Sequence, residues 1–265
     1  MNKLILAVLT TALFVTSVYA QMPGPPGLPH GPGLEGNFGP GGFRAGMHPG
    51  RVVTNAPYTA TATDNFSQTL ANGNTIQRTT TATVARDNSG RTYEQETITG
   101  GPLAGSNGPT TITFITDPVA GYSYVLNAST KIATRRPIHA PGAADKGPGG
   151  GFARNRPNNP NITESSLTPT TMNGVNVTGK TITHTIPAGE IGNAQPITST
   201  STVWFSPDLQ VVVSATRNDP RTGTSTYALT NIQRTDPPAA LFQVPSDYTI
   251  QDAKGPAWGQ RPPRQ

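Results

Sequence analysis

The sequence predicts an all-β fold with minor helix, in which an antiparallel meander forms either a strongly curved open half-barrel or a two-sheet sandwich. Three observations support this prediction. From Pro57 onward, Thr, Val, Ile and Tyr alternate with polar residues, a period of two that is typical of strands. Turn-forming residues recur about every 8 to 12 residues in the same region. Apart from one short turn, no stretch of this region has the apolar spacing of a helix.

The alternating segments can be placed one after another between Pro57 and Gln251. Turns such as Asn173-Gly174 separate them and supply the positive φ angles that tight hairpins need. Near the end, Asp236 predicts a short helical turn through Phe242, with Asp236 as N-cap and Pro237 at the first position. The predicted strands cover residues 58–70, 75–86, 91–99, 110–116, 122–127, 130–136, 165–172, 175–186, 197–205, 209–217, 224–234 and a last short strand near 244–250.

Alternation also predicts how the sheet is used, because successive side chains of a strand point to opposite faces. Three sets of residues are each expected to share a face: Ile182, His184 and Ile186; Leu209, Val211, Val213 and Ala215; and Ile76, Ala82 and Val84. Threonines occupy many of the alternate positions. The strands therefore have one apolar face and one wet, Thr-rich face, and the apolar face must meet another sheet or curl upon itself.

The first twenty residues have the pattern of a signal peptide. Lys3 supplies the positive charge, Leu4–Phe14 is an apolar core too short to span a membrane, and Val18-Tyr19-Ala20 is a small-x-small cleavage site. We expect cleavage between Ala20 and Gln21 and an exported bacterial protein, periplasmic or extracellular, that is soluble and has no membrane span after cleavage.

Three further segments are expected to lack regular structure. Residues 21–56 form a Gly/Pro-rich leader that cannot bury enough apolar surface to offset its ordering entropy, so we expect it to be disordered. Residues 139–162 form a long Gly/Pro/Asn-rich loop within the β-domain, which is assigned to residues 57–251. Residues 252–265 form a flexible basic tail.

Composition excludes several classes of function. The chain has no cysteine, which rules out disulfides, zinc–thiolate sites and a lipid attached at Gln21. The formal net charge is +5, but the basic residues are scattered and Arg135-Arg136 is the only tight pair in the predicted domain. A nucleic-acid-binding protein needs a dense basic face with aromatic residues among it, so we expect no nucleic-acid partner.

No pattern of catalytic or metal-binding residues is evident. His184 is the only histidine in a predicted strand and could serve a Ser-His-Asp triad, but a single histidine on a sheet face is more often structural. Glu94 and Glu96 share a strand face, which is compatible with a glycosidase pair or with a solvated face. The run from Asp87 to Gly90 faintly resembles a calcium loop but lacks the remaining carboxylates. We therefore predict no catalytic residue, no metal and no cofactor.

The Thr-x-Thr runs admit an ice-binding or adhesive interpretation, because regular threonine arrays can order water. They occur on hairpins of differing length rather than on a fixed repeat, and threonine is also a favourable residue for any exposed strand face. Aromatic residues are scarce, so carbohydrate-stacking platforms are expected to be thin.

The second half of the chain resembles a known family. Thr202–Val213 has the pattern strand, Pro-Asp turn, strand, and Tyr227–Ile232 leads to the run Ala240–Tyr248. This resembles the close of periplasmic lipoprotein-carrier (LolA-like) domains, which end in Leu-Phe followed by Pro-x-Gly-Tyr, although Asp247 stands where the family usually has glycine. The stretch 117–136 looks like an earlier strand pair of the same fold. The resemblance implies an antiparallel sheet curled into an open half-barrel with an apolar concave face.

These observations predict an exported, non-enzymatic β-domain that binds an apolar ligand, or a lipid or peptide moiety, in a concave sheet face. Tyr122, Tyr124, Trp204 and Phe205 are the predicted aromatic lining. The expected partner is a lipid or an envelope component. The alternative is a structural or adhesive envelope protein whose leader and Thr-rich face make the contacts. Neither the oligomeric state nor the ligand is indicated by the sequence.

Overall fold

Twelve strands make up nearly all the regular structure in residues 52–99, 108–138 and 159–253, which are those that the computed structural model describes. A turn of 3-10 helix, Ala239–Phe242, precedes the last strand. The predicted all-β class is confirmed. The strands are β1 (Tyr58–Thr69), β2 (Thr75–Arg86), β3 (Thr92–Ile98), β4 (Thr110–Asp117), β5 (Tyr122–Asn127), β6 (Ile132–Pro137), β7 (Ile162–Met172), β8 (Val175–Ile186), β9 (Ile197–Ser206), β10 (Val211–Asp219), β11 (Gly223–Gln233) and β12 (Thr249–Asp252).

The strands form one continuous sheet in the order β12-β6-β5-β4-β3-β2-β1-β11-β10-β9-β8-β7. Two runs of antiparallel hairpins, β1 to β6 and β7 to β11, are joined by antiparallel pairing of β1 with β11. Within the described residues the sheet is open, with β12 and β7 as its edges. The observed arrangement is thus the predicted single open sheet rather than a two-sheet sandwich.

Local chemistry accounts for the tightness of the hairpins. Asn173 and Gly174 connect β7 and β8 with φ angles of +48° and +81°. Two consecutive positive φ angles are what a two-residue hairpin turn requires, and Asn and Gly adopt them most readily.

The pairing register assigns the strand residues to two faces, because residues directly opposite each other across antiparallel strands point to the same side. We call the more apolar side the inner face. Its buried apolar residues include Tyr58, Ala60, Ala62, Ala82, Val84, Ile112, Phe114, Val203, Ala215, Tyr227 and Leu229.

On the outer face, three rows of paired positions cross seven neighbouring strands, from β7 to β2. We call these positions the threonine face. The rows are Leu167, Gly179, Trp204, Ser214, Ala228, Thr63 and Thr81; Ser165, Thr181, Thr202, Thr216, Thr226, Asn65 and Thr79; and Thr163, Thr183, Thr200, Asn218, Thr224, Ser67 and Gln77. The face is Thr-rich, as predicted, and its residues range from exposed to half-buried, apart from the buried Gly179.

Two hydrogen bonds show that the sheet curves strongly. Asn173, in the β7–β8 turn, donates from Nδ2 to the Leu229 carbonyl oxygen of β11 over 2.6 Å, although β8 and β11 are three positions apart in the sheet. Arg86 leaves β2 on the inner face and donates to the Leu209 carbonyl oxygen just before β10. Neighbouring strands are about 4.8 Å apart, so a flat sheet would hold each pair of strands roughly 14 Å apart. Because the Arg86 bond is made on the inner face, this face is concave between β2 and β10.

A second apolar cluster lies on the outer face of β2 to β6. Phe242 of the 3-10 helix packs there with Ala85, Ile115, Leu126 and Ala133. The guanidinium of Arg91 lies 5.1 Å from the Phe242 ring centre. The segment that follows β11 thus covers the part of the outer face that lacks the threonine array.

The structure corrects four details of the sequence prediction. Asp236 is not the N-cap: Pro238 holds that position without a side-chain bond, and Asp236 Oδ1 accepts instead from the Asn88 amide. The last strand is Thr249–Asp252 rather than 244–250, and it pairs parallel with β6.

The other two corrections concern faces. A register shift between Val212 and Ser214 interrupts the predicted alternation of β10, and Val212 is buried as well. Ile76 shares the face of Ala82 and Val84 but lies at the far end of β2, where it is 45% exposed.

Several predictions concern residues that the structure does not describe. The signal peptide and its cleavage site at Ala20 and Gln21, most of the 21–56 leader, residues 139–158 of the long loop and residues 254–265 of the tail lie outside the described residues. In the described part of the chain, no helix is long and apolar enough to cross a membrane.

Candidate functional site

A group of buried polar side chains lies on the inner face, amid apolar residues. Tyr58 and Arg86 are paired across β1 and β2, and the Arg86 guanidinium lies 5.0 Å from the Tyr58 ring centre. Glu94 on β3 follows on the same face, opposite Val84. Tyr227 on β11 completes the group, and all four residues are at most 7% exposed. We call Tyr58, Arg86, Glu94 and Tyr227 the inner polar cluster.

The pKa values of the two tyrosines reflect this enclosure. Burial raises the pKa of Tyr58, the Arg86 charge lowers it, and the Glu94 charge raises it. Burial also raises the pKa of Tyr227 well above its ordinary value, and the nearby Tyr58, Glu94 and Asp64 add to that rise. Glu94 and Tyr227 share the inner face although β3 and β11 are three positions apart in the sheet. Both hydroxyls therefore stay protonated at neutral pH.

Arg86 has a structural task within the cluster. It donates to the Ala56 carbonyl oxygen from Nε at 3.0 Å and from Nη2 at 2.8 Å, and to the Leu209 carbonyl oxygen from Nη2. Burial lowers the pKa of this guanidinium, yet an arginine keeps its charge at any physiological pH. The side chain thus closes one end of the concave face by joining the start of β1 to the β9–β10 turn.

Small apolar residues line the inner face beside this cluster. Ala60 and Ala62 on β1, Ala82 on β2 and Ala215 on β10 are all buried there. The only helix in the described residues packs on the other face. The inner face therefore combines a concave apolar surface of small side chains with a few polar groups at one place, as binding sites for apolar ligands do.

The predicted tyrosines lie elsewhere. Tyr122 and Tyr124 of β5 lie on the outer face, with ring centres 6.4 Å apart. Arg135 lies 4.8 Å from the Tyr122 ring centre and forms an ion pair with Asp252 of β12. Tyr124 packs against the Phe242 cluster. The structure thus brings these two tyrosines together, but away from the inner face.

Trp204 and Phe205 lie on β9, with six strands between them and β5 in the sheet order. Trp204 belongs to the threonine face, where its ring lies over Gly179 of β8. Phe205 is half-buried and packs against the core that contains the inner-face residues. The four predicted aromatic residues therefore do not form one site.

The acidic residues that the sequence offers as candidate catalytic or calcium-binding groups have structural roles or buried environments. Glu94 is buried, so a solvated strand face does not describe it, and Glu96 shares the inner face two positions on. Asp87 accepts hydrogen bonds from the Arg91 amide at 2.8 Å and from Arg91 Nε at 2.6 Å, which explains the turn without a metal.

His184 lies on the inner face of β8, between Ile182 and Ile186. Among the described residues, no group of three or more His, Asp or Glu side chains could hold a metal ion.

An open groove of about 270 Å³ lies beside the irregular part of the β7–β8 hairpin. Its lining is uncharged and has no titratable group, so it offers no catalytic chemistry. The lining residues are Pro169, Thr170, Thr171, Asn176, Val177, Thr178 and Pro207.

The inner polar cluster is absent from the sequence prediction, because its members come from four strands that are distant in the chain. One signal in the sequence could have indicated it. Arg86 continues the alternation of Ala82 and Val84, so a charged residue occupies a position of the apolar face, where burial without a partner is unfavourable.

No protein-family model matches the sequence, and no curated protein sequence matches it either. Among solved structures, the fold is similar to a chain of the MucA/MucB complex of Pseudomonas aeruginosa, with 9% identity over 74% of this chain and a TM-score of 0.39. The similarity spans 58% of that chain's length.

A LolA superfamily protein from Nitrosomonas europaea is also similar, with 7% identity, 72% of this chain and 91% of that chain covered, and a TM-score of 0.29. So is a putative outer membrane lipoprotein-sorting protein domain from Vibrio parahaemolyticus, with 7% identity, coverages of 71% and 89%, and a TM-score of 0.27. A LolA superfamily protein is thus among the similar structures, as the sequence resemblance predicts. At these values the likeness concerns strand arrangement, so we infer function from the chain's own residues.

Proposed function

We propose that this chain is an exported, non-enzymatic β-domain that binds an apolar ligand on the inner face of its sheet. The observation that carries the proposal is the set of small apolar side chains on a concave face. Ala60, Ala62 and Ala82 lie side by side on β1 and β2, and Leu229 of β11 is paired with Ala62. These alanines are 5–7% exposed and belong to the same buried cluster as Val203 and Leu229, so a ligand enters by displacing part of that packing.

An apolar chain lying along these alanines would be removed from water together with the surface that it covers. Each Å² of apolar surface so buried contributes about 25 cal/mol. The curvature of the sheet supports this arrangement, since Arg86 and the β9–β10 turn enclose one end of the face.

The inner polar cluster supports a ligand that also has a polar end. Glu94 and the Tyr58 and Tyr227 hydroxyls lie beside the alanines, and polar groups placed at one point of an apolar site fix a ligand's orientation. We propose binding rather than catalysis, because these groups are two tyrosines of raised pKa, an acid and a structural arginine. His184 lies on β8, four positions from β1 in the sheet order.

Export is the second part of the proposal and has its own test. The charged, apolar and small-residue pattern of residues 1–20 supports it. The full chain is expressed in a Gram-negative host. The protein recovered outside the cytoplasm should have the mass expected for a chain that begins at Gln21. A full-length protein retained in the cytoplasm would contradict export without bearing on the ligand.

Ligand binding is tested by titration with the neutral apolar dye N-phenyl-1-naphthylamine. The purified protein should increase the dye's fluorescence at a saturable site. Ala62→Phe should remove that site, because a phenyl ring would occupy the space opposite Ala82 and Leu229. Because Ala62 is 7% exposed within a buried cluster, the substitution should also lower the free energy of unfolding, by about 1–3 kcal/mol.

Ala85→Phe is the matched control. Ala85 follows Val84 on β2, but it faces outward and is buried in the Phe242 cluster. This substitution should destabilise the protein by about 1–3 kcal/mol through overpacking. Ala85→Phe should nevertheless keep the dye site. If the parent protein binds no dye, or if Ala85→Phe removes the site as Ala62→Phe does, the proposal is wrong.

A second candidate function is adhesion through the outer surface. It is favoured by one specific observation: the threonine face consists mostly of Thr, Ser and Asn residues that are exposed or half-buried. The two candidates use opposite faces of the same sheet, so they can be tested independently.

A further inference from the structure

The threonine face has no charged side chain, although all its residues except Gly179 are exposed or half-buried. The strands that form it, β7 to β11 with β1 and β2, do contain charged residues, and the register places every one of them on the inner face or at its rim. These are Asp64, Arg78, Arg86, Glu164, Lys180, Arg217 and Asp219. A soluble protein ordinarily carries such residues on its exposed surface, with both signs interspersed, so the distribution on these strands is the reverse of the usual one.

The hydroxyls of this face are ordered along rows that cross the strands. One row runs through Thr181, Thr202, Thr216, Thr226, Asn65 and Thr79 on six consecutive strands. Hydrogen bonds link members of the row, 3.1 Å between the Thr181 and Thr202 Oγ1 atoms and 2.8 Å from Thr79 Oγ1 to Asn65 Oδ1. With strands about 4.8 Å apart, the row is roughly 24 Å long.

Trp204 adds an aromatic platform to the adjoining row. A Cβ placed on Gly179 would lie 2.5 Å from Trp204 Cε3 and 2.6 Å from Cζ3. The six-membered ring therefore lies directly over the Gly179 backbone, which only glycine permits, and it is half-buried. Trp204 also packs against the buried core, and its cross-strand partners are Gly179 and Ser214, next to the Thr181 row.

We propose that the threonine face, centred on Trp204 and Thr216, binds an uncharged polysaccharide. A threonine hydroxyl both donates and accepts hydrogen bonds, as sugar hydroxyls do, and the carbon–hydrogen side of a sugar ring packs on an indole ring. A face without charge matches a neutral polymer, whereas an anionic polymer would be recognised by arginine or lysine. A row of about 24 Å is long enough to contact several sugar units along an extended chain.

The other possible occupants fit less well. A second copy of the chain would need a buried apolar centre, and Thr, Ser and Asn dominate this face. Ice requires a flat array, and the sheet curves toward the opposite side.

The test is co-sedimentation of the full exported protein with cellulose and with chitin, compared with retention on immobilised alginate as the anionic polymer. The protein should bind at least one neutral polymer, equally in low salt and in 1 M NaCl, because contacts between uncharged groups are not screened. Thr216→Lys and Thr216→Glu should each lower the affinity about tenfold or more, since both place a charge in the middle of the row.

Gly179→Ala and Trp204→Ala should weaken binding as well, because the first displaces the ring and the second removes it. Val119→Lys is the matched control. Val119 is 73% exposed in the β4–β5 turn, and neither of these strands belongs to the threonine face. This substitution should leave binding unchanged. Thermal unfolding of the Thr216 variants, whose side chain is exposed, should match that of the parent.

Three results would overturn the proposal. The first is no binding to either neutral polymer, or binding that survives both Thr216 variants. The second is salt-sensitive binding to alginate that Thr216→Lys strengthens. The third is self-association that Thr216→Glu abolishes, which would make a second copy the occupant. None of these results bears on dye binding at the inner face, so the two proposals fail separately.

Discussion

Arg86 donates a hydrogen bond from Nη2 to the carbonyl oxygen of Leu209, across the inner face from β2 to the turn before β10. The same guanidinium donates to the Ala56 carbonyl oxygen. Arg86→Met should therefore lower the free energy of unfolding by about 3 kcal/mol, because charge-assisted hydrogen bonds are lost and buried carbonyls are left unpaired. Urea denaturation followed by circular dichroism measures this change.

Arg78→Met is the control for that substitution. Arg78 lies on the same strand and the same face but is exposed, with its guanidinium 5.9 Å from the Phe66 ring centre. Its replacement should change the free energy of unfolding by less than about 1 kcal/mol. Equal effects of the two substitutions would show that the tie between Arg86 and Leu209 does not hold the curved sheet.

Asp219 should make the free energy of unfolding decrease at acidic pH. Burial favours a raised pKa for this carboxyl, but hydrogen bonds from the Arg221 side chain and backbone, with the charges of Arg221 and Arg217, outweigh burial and lower the pKa from 3.8 to about 2. A lowered folded-state pKa gives stability that is present above the unfolded value and lost as the pH falls toward 2. The loss should be about 2 kcal/mol between pH 5 and pH 2.

The measurement is the free energy of unfolding at several pH values for the parent and for Asp219→Asn. The variant should be less stable at pH 7 and should lack this component of the acid-dependent loss. Parallel curves for the two proteins would refute the role assigned to Asp219.

Gly223 should tolerate no side chain. Its φ angle is +94°, and an added Cβ would contact the Ser67 carbonyl oxygen and lie 2.9 Å from the Gln68 Cα. Gly121 has a similar φ of +77° but open space around it. Gly121→Ala should therefore lower the free energy of unfolding by about 1 kcal/mol, from backbone strain alone. Gly223→Ala should lower it by about 3 kcal/mol or more, because a backbone clash is added.

Thermal unfolding of the two glycine variants compares them directly. A melting temperature of Gly223→Ala equal to that of Gly121→Ala would mean that the β1–β2 hairpin does not approach the β10–β11 turn as described.

The β12 strand should open more readily than the rest of the sheet. All four of its residues are exposed. Its ion pair, Arg135 with Asp252, and the pair of Lys131 with Asp247 just before the strand both lie at the surface. Arg135→Ala should speed hydrogen exchange of the Ala253 amide, which donates to the Arg135 carbonyl oxygen, without changing the melting temperature. Lys180→Ala, which removes the exposed pair with Glu164, should leave that amide unaffected. Slow exchange at Ala253 in both variants would contradict this account.

Local patterns were sufficient to predict most strands. The predicted bounds of 75–86 and 122–127 agree with β2 and β5, since alternation and flanking turn residues are local signals. Where an element depends on a distant partner, the prediction was less accurate. β12 is determined by pairing with β6, more than one hundred residues earlier, and Asp236 bonds to the distant Asn88 amide rather than capping a helix.

The candidate sites required the register as well as the pattern. Tyr58 and Arg86 lie side by side because β1 pairs with β2, and Tyr227 joins the same face because β11 pairs with the other side of β1. Likewise, the sequence contains the Thr-x-Thr runs but not their alignment, which places Thr216 beside both Thr202 and Thr226. The position of Trp204 over Gly179 also depends on cross-strand pairing.

Photolabelling with a diazirine-bearing fatty acid, followed by peptide mapping, tests inner-face binding most directly. The label should fall on inner-face residues of β1, β2 and β11, including Ala60, Ala82 and Leu229, and Ala62→Phe should prevent it. Labelling confined to the outer-face cluster around Phe242, or no labelling in the folded protein, would contradict the proposed function.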